Sequence, residues 1–199
     1  LGLREMTEKH QPIARLLKPG YLLRDENGEI LDARSSVTLI IAGTHKIVVD
    51  TGLVGEDEFI RNRLDQFQIT PEDVDVVVNT HSHPDHCGNN HLFKKARIFA
   101  KDDSDLKESK AIAPGVWIME TPGHSLDSIS VVCESAYRVV MAGDAIPIIG
   151  NYLKWVPPRL HVDHKKAMES MSRIVELAEI VVPGHDKPFL VSENIYIDL

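Results

Sequence analysis

The sequence predicts an α/β protein in which two layers of mixed β-sheet are covered by helices. Three observations predict it. Eight apolar, β-branched runs read as strands, and two stretches carry apolar residues three and four apart with charges between them. The helical stretches also alternate with the strands instead of forming a separate block, which favours layers built around one core. At 199 residues the chain fits one domain spanning residues 1–199, large enough to bury roughly 70% of its unfolded surface.

In chain order, the strand candidates are Ser36–Ala42, Lys46–Asp50, Val74–Asn79, Arg97–Ala100, Val116–Glu120, Ser128–Cys133, Tyr137–Ala142 and Ile180–Val182. Ala42-Gly43-Thr44 supplies turn chemistry between the first two, and Asn27-Gly28 marks a short hairpin over Tyr21–Leu31. A helix is expected over Glu56–Phe67, where Phe59, Ile60, Leu64 and Phe67 share a face. A second is expected over Asp163–Ala178, with Asp163 as its N-cap, and a short one from His86 to Phe93. Ala145–Val162 reads as the one long irregular stretch, and loops of that length in compact domains tend to be functional.

Composition weighs against several classes. No apolar run approaches bilayer length, and Leu1–Lys18 lacks the apolar core of a signal peptide. A formal charge of −8 argues against nucleic acid as the main partner, since affinity for phosphates needs clustered Lys and Arg. The nearest basic cluster, Lys94, Lys95, Arg97 and Lys101, runs directly into Asp102, Asp103 and Asp105 and reads as a solvated loop. Two cysteines, Cys87 and Cys133, make no disulfide framework, which fits a reducing, cytoplasmic setting. Cys133 is expected in the core and Cys87 packed behind the loop that follows Val74–Asn79. No glycine-rich dinucleotide fingerprint is present.

The placement of the ten histidines carries the functional argument. Thr80-His81-Ser82-His83-Pro84-Asp85-His86 follows the run Val74–Val78, putting four potential ligands at a strand's end. Neutral imidazoles suit Zn²⁺, and a carboxylate adds an anionic oxygen. Pro84 and the small Ser82 let the backbone turn. Three more candidates, His124, Asp144 and His185, each stand just after a strand and directly behind a glycine. Four strand ends carrying ligand-type residues on one edge make a site. His10, His45, His91, His161 and His164 belong to no such pattern and read as surface residues.

The order Asp50-Thr51-Gly52, then His-x-His-x-Asp-His, then His, Asp and His resembles the metallo-β-lactamase superfamily from about Ser36 to His185. The resemblance implies an αβ/βα four-layer sandwich with metals at one edge. It also implies that His81, His83 and His124 hold a first metal, that Asp85, His86 and His185 hold a second, and that Asp144 bridges them. Asp50 would stand behind the ligands and support their loop. Thr121-Pro122-Gly123-His124-Ser125 with Ser128 looks like the glyoxalase II-like branch. Ser36-Val37-Thr38-Leu39 and Val181-Val182-Pro183-Gly184-His185 look closer still to the metallo-β-lactamase-domain-containing protein 1 group.

What such a site implies is hydrolysis of a small ester, thioester or lactone. Two divalent ions, zinc or else iron or manganese, about 3.5–4 Å apart would hold a bridging hydroxide as nucleophile. Asp85 and Asp144 would orient it and accept its proton. Departures from the family narrow the field. True β-lactamases place Cys or Ser at the position of Asp144, and glyoxalase II continues into a helical region where only Asp186–Leu199 follows here. A ribonuclease or phosphodiesterase of the same fold is an alternative. So is a mononuclear iron persulfide dioxygenase, although its Cys-Gly-Arg segment is replaced by Ala145-Ile146-Pro147-Ile148-Ile149-Gly150. For a small-molecule substrate the expected wall is the loop after Asp144, with Tyr152, Trp155 and Arg159; the competing reading has the two aromatics capping the core.

Overall fold

The computed structural model describes residues 11–99 and 108–199. Strands β1 (Ile13–Lys18), β2 (Tyr21–Arg24), β3 (Ile30–Arg34), β4 (Val37–Ala42), β5 (His45–Val49), β6 (Val76–Val78) and β7 (Arg97–Phe99) form the N-terminal half. The C-terminal half holds β8 (Ala111–Ala113), β9 (Val116–Glu120), β10 (Ile129–Glu134), β11 (Arg138–Gly143), β12 (Ile180–Pro183), β13 (Phe189–Leu190) and β14 (Ile195–Tyr196). Helices are α1 (Asp57–Asp65), α2 (Pro84–Cys87), α3 (Ile149–Lys154) and α4 (His164–Leu177). One sheet runs β1-β4-β5-β6-β7 and the other β14-β13-β12-β11-β10-β9-β8, while β2 and β3 pair only with each other.

Period-two alternation explains the layering. Ile47 and Val49 of β5, Val78 of β6, Val131 and Cys133 of β10, Met141 of β11 and Val182 of β12 point inward and pack sheet against sheet. The alternate residues of the first sheet, Val37, Leu39, Val48 and Val77, turn outward onto Ile60 and Leu64 of α1. Those of the second sheet, Val132, Val140 and Val181, turn outward onto Met171 and Ile174 of α4. Central strands therefore read as unbroken apolar runs, because both of their faces are buried. The layers are helix, sheet, sheet, helix, which is the expected αβ/βα sandwich.

Direction fixes where the site lies. β5 and β6 run parallel, as do β11 and β12; β10 is antiparallel to both β9 and β11, so β9 runs with β11. The C-terminal ends of β9, β11 and β12 therefore share one edge. The β2–β3 hairpin stands over it, since Leu22, Arg24, Ile30 and Ala33 line the same cleft as His83, Asp85 and His185.

Most expected strands appear within one or two residues of their predicted ends. The hairpin around Gly28 extends to Arg34, and the N-cap of α4 forms as expected, with the Asp163 carboxylate accepting from the Lys166 backbone N–H. Two expectations need correction. The single short helix from His86 to Phe93 is instead α2 followed by a separate 3-10 turn, Asn90–Leu92. Between them, the Gly88 N–H donates to the Gly52 carbonyl, and the buried Asn89 amide donates to the carbonyls of Thr51 and Leu53, so the chain docks on that loop instead of coiling on. The stretch Ala145–Val162 is not irregular throughout, because α3 occupies its middle. Ala100, Lys101, the acidic run Asp102, Asp103 and Asp105, and His10 lie outside the described residues.

Candidate metal centre

The ligand candidates reach the common edge on four separate turns, and the first of these carries four of them. After β6, Asn79 and Thr80 lead into His81, and α2 carries Asp85 and His86. His124 follows β9, Asp144 follows β11, and His185 follows β12. Two of the glycines have specific reasons. Gly143 adopts φ +51 against Thr80, and a Cβ there would stand 2.5 Å from the Thr80 hydroxyl oxygen. Gly184 has an ordinary φ, but any Cβ on it would occupy the space of the Asp144 carboxylate. The requirement at 184 is room, not turning.

All seven candidate ligands are brought together. Ligand atoms of His81, His83, His124 and Asp144 lie within 4.8 Å of one another, as do those of Asp85, His86 and His185. Asp144 faces both groups: its Oδ1 is 3.2 Å from His185 Nε2 and 3.5 Å from His86 Nε2, while Oδ2 is 3.5 Å from His124 Nε2. Asp85 Oδ2 stands 3.5 Å from His185 Nε2 and 3.8 Å from His86 Nε2, and His124 Nε2 stands 3.1 Å from His83 Nδ1. Tetrahedral ligation with bonds of 2.0–2.1 Å puts ligand atoms about 3.3 Å apart, so these separations fit metal ions between them. Buried orphan atoms make the same point: His81 Nε2, His86 Nε2 and Asp144 Oδ1 have no hydrogen-bond partner. Unpaired buried polar atoms are costly, and three converging on one place need a shared partner.

Outer contacts set the imidazole tautomers. His124 Nδ1–H donates to the Leu160 carbonyl at 2.7 Å and His185 Nδ1–H to the Arg34 carbonyl at 3.0 Å. His86 Nδ1–H donates to Asp50 Oδ2 at 2.7 Å. A carbonyl or carboxylate only accepts, so each Nε2 is left with its lone pair aimed at the centre. Asp50 also accepts from the Thr80 backbone N–H at 2.7 Å and the Thr80 hydroxyl at 2.8 Å. It does so from a left-handed backbone, φ +57, which a non-glycine residue adopts at a cost. Asp50 is therefore more than a turn residue: it anchors the ligand loop.

Electrostatics separate the ligands. Burial, reinforced by the nearby His86, pushes the His81 imidazole down to about 2, so it stays neutral. His83 is lowered by burial and then by His124. Burial also acts on His86 and His185, but Asp50 and Asp144 overcome it at His86 and Asp144 overcomes it at His185, raising both. Asp144 shows the converse: burial opposes its charge, yet His185 and His86 hold its carboxyl well below the usual range. The second group thus attracts positive charge.

The model of the metallo-beta-lactamase superfamily matches residues 32–108. The probable metallo-hydrolase MJ0296 of Methanocaldococcus jannaschii is 41% identical over 180 residues, covering 86% of each chain. This chain belongs to the metallo-beta-lactamase superfamily. It is a metal-dependent hydrolase of that superfamily. The metallo-beta-lactamase domain-containing protein 1 of Xenopus laevis is 32% identical over 194 residues, 90% of this chain and 82% of that one. The fold is shared with a B. thuringiensis AiiA variant solved with N-decanoyl-L-homoserine at its active site; the TM-score is 0.73 at 20% identity, covering 89% of this chain and 94% of that one.

Around the candidate ligands the chain builds a cleft of about 130 Å³ whose walls include Leu22, Ile30, Pro147, Pro158, Arg159 and Leu160. Arg159 lines the cleft as expected, while of the two aromatics Tyr152 follows the competing, core-capping reading and Trp155 follows neither. Tyr152 stacks on Phe189 at 5.3 Å and its hydroxyl donates to the Val191 carbonyl, so it packs beneath α3. Trp155 ends α3 in a left-handed conformation, 46% exposed, and faces no part of the cleft. Residues without a sequence signal also matter here: Arg24 on the hairpin, and the carbonyls of Arg34 and Leu160. Backbone acceptors leave no residue signature. His45, His91, His161 and His164 are exposed as expected, and Cys133 is buried in the core. Cys87 packs its thiol on the Ser82 and His83 carbonyls. Among the described residues, no helix is long and apolar enough to cross a membrane.

Proposed function

We propose that the protein hydrolyses a small ester, thioester or lactone with two divalent metal ions, zinc foremost. His81, His83 and His124 would hold one ion, Asp85, His86 and His185 the other, and Asp144 would be shared. The observation that carries this reading is Asp144, whose two carboxylate oxygens face the two groups separately. Bound there, the ions would supply Lewis acidity toward an acyl oxygen and toward water.

The chain's own residues do the rest. Asp85 is the more open of the two carboxylates, 18% exposed against 9% for Asp144, and lines the cleft. It takes the proton from the attacking water and returns it to the leaving oxygen or sulfur. Asp144, buried and held ionised, orients that water between the groups. Asp50, Thr80 and the Arg34 and Leu160 carbonyls keep the imidazoles from turning. Leu22, Ile30 and Leu160 give one side of the cleft an apolar wall. An apolar cleft with a few convergent polar groups suits a small molecule. The N-decanoyl-L-homoserine in AiiA supports an acyl substrate on this fold.

Elemental analysis after reconstitution, joined to a hydrolysis panel of esters, thioesters, lactones, phosphodiesters and RNA, tests the proposal. Two equivalents of metal and turnover of an acyl substrate are expected. Occupancy that plateaus at one equivalent removes the dinuclear reading, and iron at that level would favour the dioxygenase. Turnover confined to phosphodiesters would replace the acyl substrate.

A further inference from the structure

The cleft has a second chemical feature that hydrolysis itself does not need. Arg24, at the end of β2, donates through Nη1 to the Gly28 carbonyl at 2.9 Å. Arg159, from the segment after α3, donates to that same oxygen. Two guanidinium groups from separate parts of the chain thus converge on one neutral acceptor. Both line the metal cleft, and both line an adjoining groove of about 280 Å³ that Lys154 also borders. Each guanidinium carries five N–H donors in a planar fork, so one shared carbonyl leaves most of them unused.

Compensation by the protein is slight. Arg159 Nη2 lies 3.4 Å from Glu29 Oε1, but Glu29 is 74% exposed and such a pair exchanges readily with another anion. Among the described residues, no carboxylate bridges Arg24. On a chain of formal charge −8, two arginines drawn together at the rim of a cleft need a reason. Their like charges repel unless an anion is placed between them.

We propose that Arg24 and Arg159 form an anion subsite that selects acyl substrates bearing a second, remote carboxylate. The reading rests on the acyl hydrolase proposed above and adds what the substrate must carry. The acyl bond lies on the floor near Asp85 and Asp144, an apolar segment passes Leu22 and Leu160, and the carboxylate meets the arginine forks. Charge-assisted, forked contacts of this kind discriminate strongly against a neutral end.

The test compares metal-loaded wild type with R24Q, R159Q and the double variant on two thioesters of equal acyl length, one ending in a carboxylate and one in a methyl group. In wild type, kcat/KM is expected to favour the carboxylate end by about tenfold or more. Each single variant should lose most of that ratio, with metal content unchanged. The same pair of free acids, adipate and hexanoate, is titrated by calorimetry, so that selection is read without turnover. Loosening of the hairpin would lower both substrates together and leave the ratio intact. A wild-type ratio near one in both measurements, or a ratio that survives the double variant, overturns the subsite. If wild type turns over neither thioester, the acyl hydrolase reading falls, and the adipate-to-hexanoate affinity ratio still decides whether the arginines bind a remote carboxylate.

Discussion

The floor of the cleft and its rim are held in opposite ways. Floor residues hang from strand ends buried in the sandwich, and their imidazoles are locked at 2.7–3.0 Å by Asp50 beneath them and by the backbone carbonyls of Arg34 and Leu160, where the rim joins the floor. The rim is a two-stranded hairpin that pairs with neither large sheet, tied to the segment after α3 by Arg159. A floor built this way is preorganised: its geometry is set before any ligand arrives. A rim tied by exposed arginine contacts can exchange those contacts for a ligand's. Chemistry is therefore assigned to the rigid part and selection to the adjustable one.

Removing the Asp144 carboxylate from the floor should have the largest effect. Asp144→Ala takes away the one group facing both sets of imidazoles, and turnover should fall by more than the roughly 10–100-fold typical of losing an outer contact. Metal analysis of the same variant should show the ion at Asp85, His86 and His185 lost first. Two retained ions with near-normal turnover would show that Asp144 is not shared.

Next in size is Asp50→Ala, which removes no ligand candidate but takes away the partner of one, His86. It frees His86 Nδ1 and both Thr80 donors, so metal affinity should fall by about 10–100-fold. Metal uptake should also be pH-dependent. In metal-stripped protein His86 and His185 have raised pKa values, their carboxylate partners outweighing burial, and a cation needs both rings neutral. Below those values protons compete, so affinity rises with pH and binding releases protons. The apo protein behaves inversely: ion pairing of these raised histidines stabilises it at low pH and is lost as pH rises through their folded values. Calorimetry in buffers of different ionisation heat counts the protons; uptake without release would break this account.

How much of this was legible in the sequence follows the same division. The seven ligand candidates stand at strand ends, where periodicity stops and His or Asp begins, and all of them converge. The layered fold was legible for a similar reason, since runs such as Val76–Val78 and Val181–Val182 are apolar on both faces. The rim was not. Arg24 sits in an ordinary polar hairpin, and its meeting with Arg159 crosses 135 residues through a carbonyl that any residue would supply. The last two strands, β13 and β14, are two residues long, too short to show a period. The aromatics of the segment after Asp144 misled, because proximity in sequence to a ligand does not say which way α3 turns.

Tyr152 sharpens the contrast on the side of stability. Its ring stacks on the fully buried Phe189, so Tyr152→Ala should cost about 2–4 kcal/mol, near the range for large apolar truncations. Tyr152→Phe removes only the hydroxyl bond to Val191 and should cost about 1 kcal/mol. Neither should alter kcat/KM at a temperature where the variant is folded. A substrate-dependent change in kcat/KM would move Tyr152 from the core to the cleft.

The smallest effect is expected at Trp155, and it concerns backbone more than side chain. Trp155 closes α3 at φ 52, where its N–H donates to the Asn151 and Tyr152 carbonyls while the indole is nearly half exposed. An exposed side chain away from the cleft should be replaceable by Ala within about 0.5 kcal/mol. Alanine keeps a Cβ in the left-handed region, however, and glycine does not. Trp155→Gly should therefore be more stable than Trp155→Ala by about 1 kcal/mol, the usual penalty for a non-glycine residue there. Both variants should keep wild-type KM, because the indole meets none of the cleft walls. Paired melting curves isolate the backbone contribution, and KM isolates the side chain. A raised KM shared by Ala and Gly would return the indole to the substrate. Equal stability of the two would mean that the end of α3 unwinds once the tryptophan is gone.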